Sequence, residues 1–172
     1  MTINCQLQRS ITHHIKDSMK LALALTLGII AAPCLAQSNG KVEIFPAASV
    51  RAQLARLATE ALASGSSGST LSNRGTHAIK LSERTATGAA EVHAHFDDVM
   101  IVIEGSATLL TGGDVINAHT AANGETTGSA ILNGATQPIA AGDVVNIPAG
   151  TPHQLIIAPG TIYSALVIKV KE

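Results

Sequence analysis

Three histidines in this chain have the spacing of metal ligands. His93 and His95 form a His-x-His pair, and His153 ends the run Pro148-Ala-Gly-Thr-Pro-His much later in the sequence. Residues i and i+2 of a strand point to the same face, so His93 and His95 could direct two imidazoles toward one point. Imidazole binds zinc, copper, iron and nickel, and a nearby carboxylate adds manganese. The spacing therefore predicts one divalent metal ion (Zn, Fe, Mn, Ni or Cu).

The segments that carry these histidines read as short strands. Apolar, β-branched runs alternate with glycine and proline turns, a pattern typical of a β-sandwich or barrel. Four apolar residues on these runs are expected to face the core: Met100, Val102, Ile147 and Leu155. Strands are predicted over residues 76–83, 91–96, 98–104, 107–110, 129–132, 136–139, 144–147, 153–158 and 161–170. Two polar, glycine-bearing stretches, 65–70 and 114–128, are predicted to be loops.

One helix is predicted before the strands, from Pro46 to Ser64. Ser49 is the expected N-terminal cap, and the apolar residues Val50, Leu54 and Leu57 recur on one face. Such a face would pack on the outside of the main domain or against a second copy of the chain. A homodimer is therefore compatible with this pattern.

The first 36 residues have the pattern of a leader that export removes. Met19-Lys20 precedes an apolar stretch, and small residues end it at Ala36. The apolar stretch is too short to span a bilayer of about 30 Å as a helix. We expect the signal peptide to cover residues 19–36, which makes residues 1–18 a mis-assigned start, although a long n-region is the alternative. Cleavage after Ala36 would leave a periplasmic or secreted protein.

Composition limits the chemistry and the partners of the exported chain. Cleavage would remove Cys5 and Cys34, so neither a disulfide nor a thiolate ligand is expected. It would also remove three basic residues and one acidic residue, which moves the net charge from −1 to −3. This charge argues against nucleic acid and anionic membranes as partners. With two Phe, one Tyr and no Trp, the chain has few aromatic surfaces for stacking sugars or bases.

The two histidine segments resemble the paired motifs of the cupin superfamily. In the second motif, Gly142 is followed after five residues by Pro148-Ala-Gly150 and then by His153, while Ile157 stands where the family usually has asparagine. The resemblance covers residues 76–170. It implies an all-β fold, a double-stranded β-helix or jelly-roll barrel, here with one N-terminal helix. We therefore divide the chain into the leader (1–36), a tether, helix and loop (37–75) and the barrel (76–172).

The first motif is more altered. It runs from Gly88 through His93-Ala-His95 to Gly105, with Asp98 where the family has glutamate. The resemblance implies His93, His95 and His153 as metal ligands and Asp98 as the acidic fourth. Because aspartate is one methylene shorter, Asp98 would reach the ion directly or through a water. Strand alternation from His95 instead favours Asp97, and a tight turn after Phe96 would leave neither aspartate bound.

The implied function is that of an exported, metal-binding cupin acting on a small molecule. The family's chemistry would be of the isomerase, lyase or oxygenase type. No acid–base residue stands out in the sequence, so a non-catalytic module that binds a small ligand or a metal is the alternative. Whether the protein is an enzyme stays open at this point.

A few other polar residues are candidates for the barrel. His119 lies in the predicted loop 114–128, where it could form part of a lid, and His77 is expected at the surface. Four cations lie near predicted strands and are expected on the outer face: Arg74, Lys80, Arg84 and Lys169. The alternative is that one of them enters the barrel and binds a carboxylate substrate.

Overall fold

The computed structural model describes residues 40–172, of which residues 43–172 form one compact unit. The predicted leader, including Cys5 and Cys34, lies outside the described residues. Within the described part of the chain, no helix has both the length and the apolar character needed to cross a membrane.

One helix precedes thirteen strands in the described part of the chain. Helix α1 spans Ala47–Ser64. In chain order the strands are β1 Ser66–Asn73, β2 His77–Arg84, β3 Ala90–His93, β4 Phe96–Glu104, β5 Ser106–Thr111, β6 Asp114–Ile116, β7 His119–Thr120, β8 Glu125–Gly128, β9 Ala130–Leu132, β10 Ala135–Ala140, β11 Val144–Ile147, β12 His153–Ile156 and β13 Tyr163–Lys171.

The strands form two main antiparallel sheets that face each other. One sheet has the order β1-β2-β13-β4-β11 and the other the order β10-β5-β12-β3-β8-β7, while β6 and β9 pair separately. Both sheets contribute to one apolar core, which contains Met100, Val102 and Ile147, with Leu155 packed against it. The predicted all-β jelly-roll barrel with one N-terminal helix is confirmed, as are these four core residues.

Two predicted loops contain strands instead. The stretch 65–70 falls largely within β1, and 114–128 contains β6, β7 and β8. Strand β1 was not predicted because it is an edge strand, paired only with β2, and contains a single large apolar residue, Leu71. The predicted cap at Ser49 is also wrong. The backbone N–H of Val50 donates to the carbonyl of Pro46 at 3.0 Å, so the helix starts before Ser49.

Helix α1 covers the outer face of the first two strands. Leu54 and Leu57 are buried against Leu81 of β2. Strand residues alternate between faces, so Leu81 and Glu83 point toward the helix side while Lys80 and Arg84 point into the barrel. Strand β2 therefore separates the helix layer from the barrel interior.

Glu83 is a buried carboxylate opposite Ser164 of β13, whose hydroxyl offsets only part of the cost of burial. Burial raises the pKa of Glu83 above its ordinary value of 4.5, and the negative charge of Glu104 adds to this effect. The Glu83 carboxyl therefore binds its proton more tightly in the folded protein than in the unfolded protein. The free energy of unfolding falls as the pH rises from 4.5 through the raised pKa of Glu83. We expect Glu83→Gln to stabilise the fold by about 1–2 kcal/mol at pH 7, and by less near pH 5.

Urea unfolding of the two proteins at both pH values measures this difference. Glu172→Gln, at the exposed end of the chain, is the matched control and should leave stability unchanged. Equal stability of wild type and Glu83→Gln at pH 7 would show that the buried carboxyl carries no cost.

Candidate metal centre

Three neighbouring strands of the six-stranded sheet carry a cluster of histidines and carboxylates. In the pairing of β12 with β3, His153 lies opposite Glu91, and in the pairing of β3 with β8, His93 lies opposite Glu125. Glu91 and His93 are two residues apart in β3 and so share one face. The sheet thus places all four side chains side by side.

Two hydrogen bonds join the distant segments that supply this cluster. The backbone N–H of Gly150 donates to the carbonyl of His93 at 2.8 Å. The backbone N–H of Ala149 donates to Oδ1 of Asp97 at 2.7 Å. The Pro148-Ala-Gly turn is therefore fastened to the end of β3 and the start of β4, which brings His153 to the strand that carries His93.

Glu91, His93 and His153 offer ligand atoms that all lie within 4.8 Å of one another. Oε2 of Glu91 lies 3.8 Å from Nε2 of His93 and 3.9 Å from Nε2 of His153. Oδ2 of Asp98 lies 3.4 Å from Nε2 of His93. Two ligands each about 2.1 Å from one ion can be at most about 4.2 Å apart, and about 3.4 Å apart at a tetrahedral centre. The three carboxylate–imidazole separations lie within this limit.

Both imidazoles are oriented so that Nε2 faces the cluster. Nδ1 of His93 is hydrogen bonded to the carboxylate of Glu125, and Nδ1 of His153 donates to the carbonyl of Thr151 at 3.0 Å. Metal-binding histidines are commonly oriented in this way through their other ring nitrogen. Nε2 of His93 is buried and has no hydrogen-bond partner in residues 40–172. A buried, unpartnered imidazole nitrogen facing carboxylates is the feature that a metal ion would satisfy.

The electrostatics of the two histidines differ. Burial alone would lower the pKa of His93, but the neighbouring carboxylates of Asp98 and Glu125 outweigh burial and raise it. Burial lowers the pKa of His153, and a charge on His93 would lower it further. His153 is therefore kept neutral, the form in which imidazole binds a metal.

Asp98 forms an ion pair with Lys169. Lys169 on the neighbouring strand donates to Oδ1 of Asp98 at 2.7 Å. Burial would raise the pKa of Asp98, but the neighbouring His93 and the hydrogen bond from Lys169 outweigh it and lower that pKa. Asp98 therefore stays ionised, with Oδ2 directed toward His93.

The structure brings together His93, His153 and Asp98 of the residues expected from the sequence, but not His95. Strand β3 ends at His93, and His95 lies exposed in the bend where the chain crosses to the other sheet. The i, i+2 rule holds only within one strand, so the two histidines do not share a face. Asp97 is bound to the backbone of Ala149 instead of facing the cluster.

Sequence reasoning missed Glu91 and Glu125. The rule that residues i and i+2 of a strand share a face links His93 to Glu91 as well as to His95. The sequence therefore did contain a signal for Glu91. No comparable signal pointed to Glu125, because its position depends on the pairing of β8 with β3. His119 in β7 is exposed, and His77 at the start of β2 is half-buried beside Thr76.

The cluster opens into a cavity of about 340 Å³ inside the barrel, a size within the range of small-molecule sites. Three of the four cations expected on the outer face line this cavity instead: Lys80, Arg84 and Lys169. The expectation was wrong because alternation defines two faces of a strand without saying which face is enclosed. Arg74 is the exception and forms an ion pair with Glu43.

No protein-family model and no curated protein matches this chain. It is similar to several solved structures. The polyketide cyclase RemF of Streptomyces resistomycificus is 18% identical, with 63% of this chain and 66% of the cyclase covered and a TM-score of 0.46, so the chain spans just under two thirds of that enzyme. A cupin 2 conserved barrel domain protein of Salinispora arenicola is 20% identical, with 76% and 90% covered and a TM-score of 0.47.

A cupin-superfamily sugar phosphate isomerase from Silicibacter pomeroyi is 17% identical. The match covers 76% of this chain and 68% of the isomerase, with a TM-score of 0.44. The solved structures that match this chain thus include cupin-superfamily proteins. The two histidine motifs of the chain resemble those of the cupin superfamily.

Proposed function

We propose that this protein is an exported, metal-dependent enzyme that acts on a small molecule inside the barrel. The observation that carries the proposal is the buried Nε2 of His93, which faces the carboxylate of Glu91 and lacks a partner in residues 40–172. Glu91, His93 and His153 would hold the ion, with Asp98 beside them. Two imidazoles and one carboxylate suit iron(II) or zinc and leave positions open for substrate or water.

Such an ion would polarise a carbonyl, activate a water or, if iron, bind dioxygen. The side chains around it have defined proton states. Ionised Asp98 can accept a proton or orient a water. Burial raises the pKa of Tyr163 to about 12, against the opposing charge of Arg84, so its hydroxyl stays protonated and can donate to a substrate oxygen. The cavity thus offers both an acceptor and a donor.

Elemental analysis of protein purified without chelators is the direct test. We expect about one divalent ion per chain, held by three or four protein ligands. The mass of the same preparation tests export, since cleavage after Ala36 predicts a chain that begins at Gln37. Metal at background level, in protein that also takes up none of zinc, iron or manganese on titration, would refute the proposed centre.

Activity is tested on the metal-loaded protein with a panel of small keto and hydroxy acids. Oxygen uptake would indicate an oxygenase, and product formation without oxygen uptake, followed by NMR, would indicate isomerase or lyase chemistry. A protein that binds members of the panel but converts none would be a binding module. That result would leave the metal centre in place and refute the catalytic part of the proposal.

A further inference from the structure

Arg84 and Tyr163 form a pair of unsatisfied donors in the wall of the cavity. They lie directly opposite each other in the pairing of β2 with β13, and both line the cavity. Nε of Arg84 and the hydroxyl of Tyr163 are buried, and neither has a hydrogen-bond partner in residues 40–172. Leaving a buried donor unpaired is costly, and more so for a charged one. Because their Cα atoms are paired across β2 and β13, one carboxylate could accept hydrogen bonds from both side chains.

The backbone around Gly88 leaves room for the Arg84 side chain. A Cβ added at Gly88 would lie 2.2 Å from Nη1 of Arg84, so any larger residue there would displace the guanidinium. The carbonyl of Gly88 accepts a hydrogen bond from Nε2 of Gln154 at 2.8 Å. Gln154 follows the proposed ligand His153, so the segment beside Arg84 is tied to the strand that carries the metal centre.

With a metal ion bound, the charged groups around the cavity would give it a net positive charge, which favours an anionic ligand. Its wall includes three cations, Lys80, Arg84 and Lys169, and three carboxylates, Glu91, Asp98 and Glu125. Lys169 is paired with Asp98, and Glu125 is paired with His93. A divalent ion beside Glu91 would leave the cavity with surplus positive charge, next to Arg84, which forms no ion pair with a carboxylate in residues 40–172.

An apolar stretch separates the two polar ends of the cavity. On the inner face of β13, Ala165 and Val167 lie between Tyr163 and Lys169, and Met100 is opposite Val167. A ligand that reaches from Arg84 to the metal centre must therefore place apolar atoms along this stretch.

We propose that Arg84 and Tyr163 bind the carboxylate of a small organic acid whose apolar chain lies along Ala165 and Val167 and extends toward Glu91, His93 and His153. This rests on the proposed function in two respects: the far end of the ligand would meet the metal, and the metal would supply the surplus positive charge. The carboxylate site itself is formed by residues that belong to no part of the metal cluster. This carboxylate site would select the substrates that reach the metal centre.

Calorimetric titration of chelator-stripped protein with hexanoate tests the site without metal. We expect hexanoate to bind and hexanamide, its neutral analogue, to bind at least about 10-fold more weakly. Inorganic phosphate is a third probe, because it shares the negative charge but requires more donors. Absence of hexanoate binding at about 10 mM would overturn the proposal, as would equal affinity for hexanamide or tighter binding of phosphate.

Three variants locate the binding. Arg84→Gln should weaken hexanoate binding by about 10- to 100-fold, and Tyr163→Phe by a smaller factor. Gly88→Ala keeps the arginine but displaces it, and it should also weaken binding. Arg51→Gln, on the exposed surface of α1, is the matched control and should bind as wild type does. Circular dichroism checks that each variant is folded.

Wild-type affinity in either Arg84→Gln or Gly88→Ala would overturn the proposed site. Metal uptake separates this failure from failure of the proposed function. Arg84→Gln should still take up the metal that wild type takes up. His153→Ala should lose metal but, compared with stripped wild type, should keep its hexanoate affinity.

Discussion

Replacing His153 with alanine is expected to reduce bound metal from about one ion per chain to background. The change removes one of the three proposed ligands, and its neighbours Glu91 and His93 are too few to hold a divalent ion tightly. Elemental analysis of the purified variant measures the effect. The matched control is His95→Ala, which removes an exposed imidazole outside the cluster and should keep the full metal content.

A third variant is expected to cause an intermediate loss of metal affinity. Glu125→Gln leaves all proposed ligands in place but weakens the hydrogen bond that orients His93, so we expect metal affinity to fall by about 10- to 100-fold. If His95→Ala lost metal as completely as His153→Ala, the ligand set expected from the sequence motif would be right and the cluster around Glu91 would be wrong.

Gly105→Ala is expected to destabilise the fold by about 3 kcal/mol or more. Gly105 directly follows β4 and has φ +77°, a left-handed conformation that costs a residue with a Cβ about 1–2 kcal/mol. A Cβ there would also lie 2.0 Å from the carbonyl oxygen of Ile162. That oxygen belongs to the backbone just before β13, so it cannot move aside as a flexible side chain can. Urea unfolding measures the loss.

Gly75→Ala separates the two causes. Gly75 has the same φ, +77°, but no atom within 4 Å of an added Cβ. It should therefore lose only the conformational part, about 1 kcal/mol after the gain from a stiffer unfolded chain. Equal losses at the two glycines would mean that the contact with Ile162 carries no energy.

The barrel was predictable from the sequence because its core strands depend on local patterns. Met100 and Val102 lie in an unbroken apolar, mostly β-branched run, residues 99–103, which favours a strand, and glycine and proline mark the turns, so strand type follows from one segment at a time. Strand β1 lacked this signal. Its serines and glycine gain their strand geometry from pairing with β2, which no local pattern reveals.

The candidate centre was only partly predictable, because its membership depends on where the chain changes sheets. The bend after His93 sends His95 to the surface, and that bend is set by contacts with Ala149 and Gly150 far along the sequence. The enclosed positions of Lys80 and Arg84 depend likewise on the helix covering the other face of β2. Periodicity identifies faces, but long-range contacts decide which face becomes the interior.

The alternation within β2 couples two parts of the molecule. One set of its residues, including Leu81, packs under α1, and the other set, including Lys80 and Arg84, supplies positive charge to the cavity. A slip of one residue in the pairing with β13 would exchange the sets. The helix therefore selects the register that determines the charge inside the barrel, although none of its own residues lines that interior.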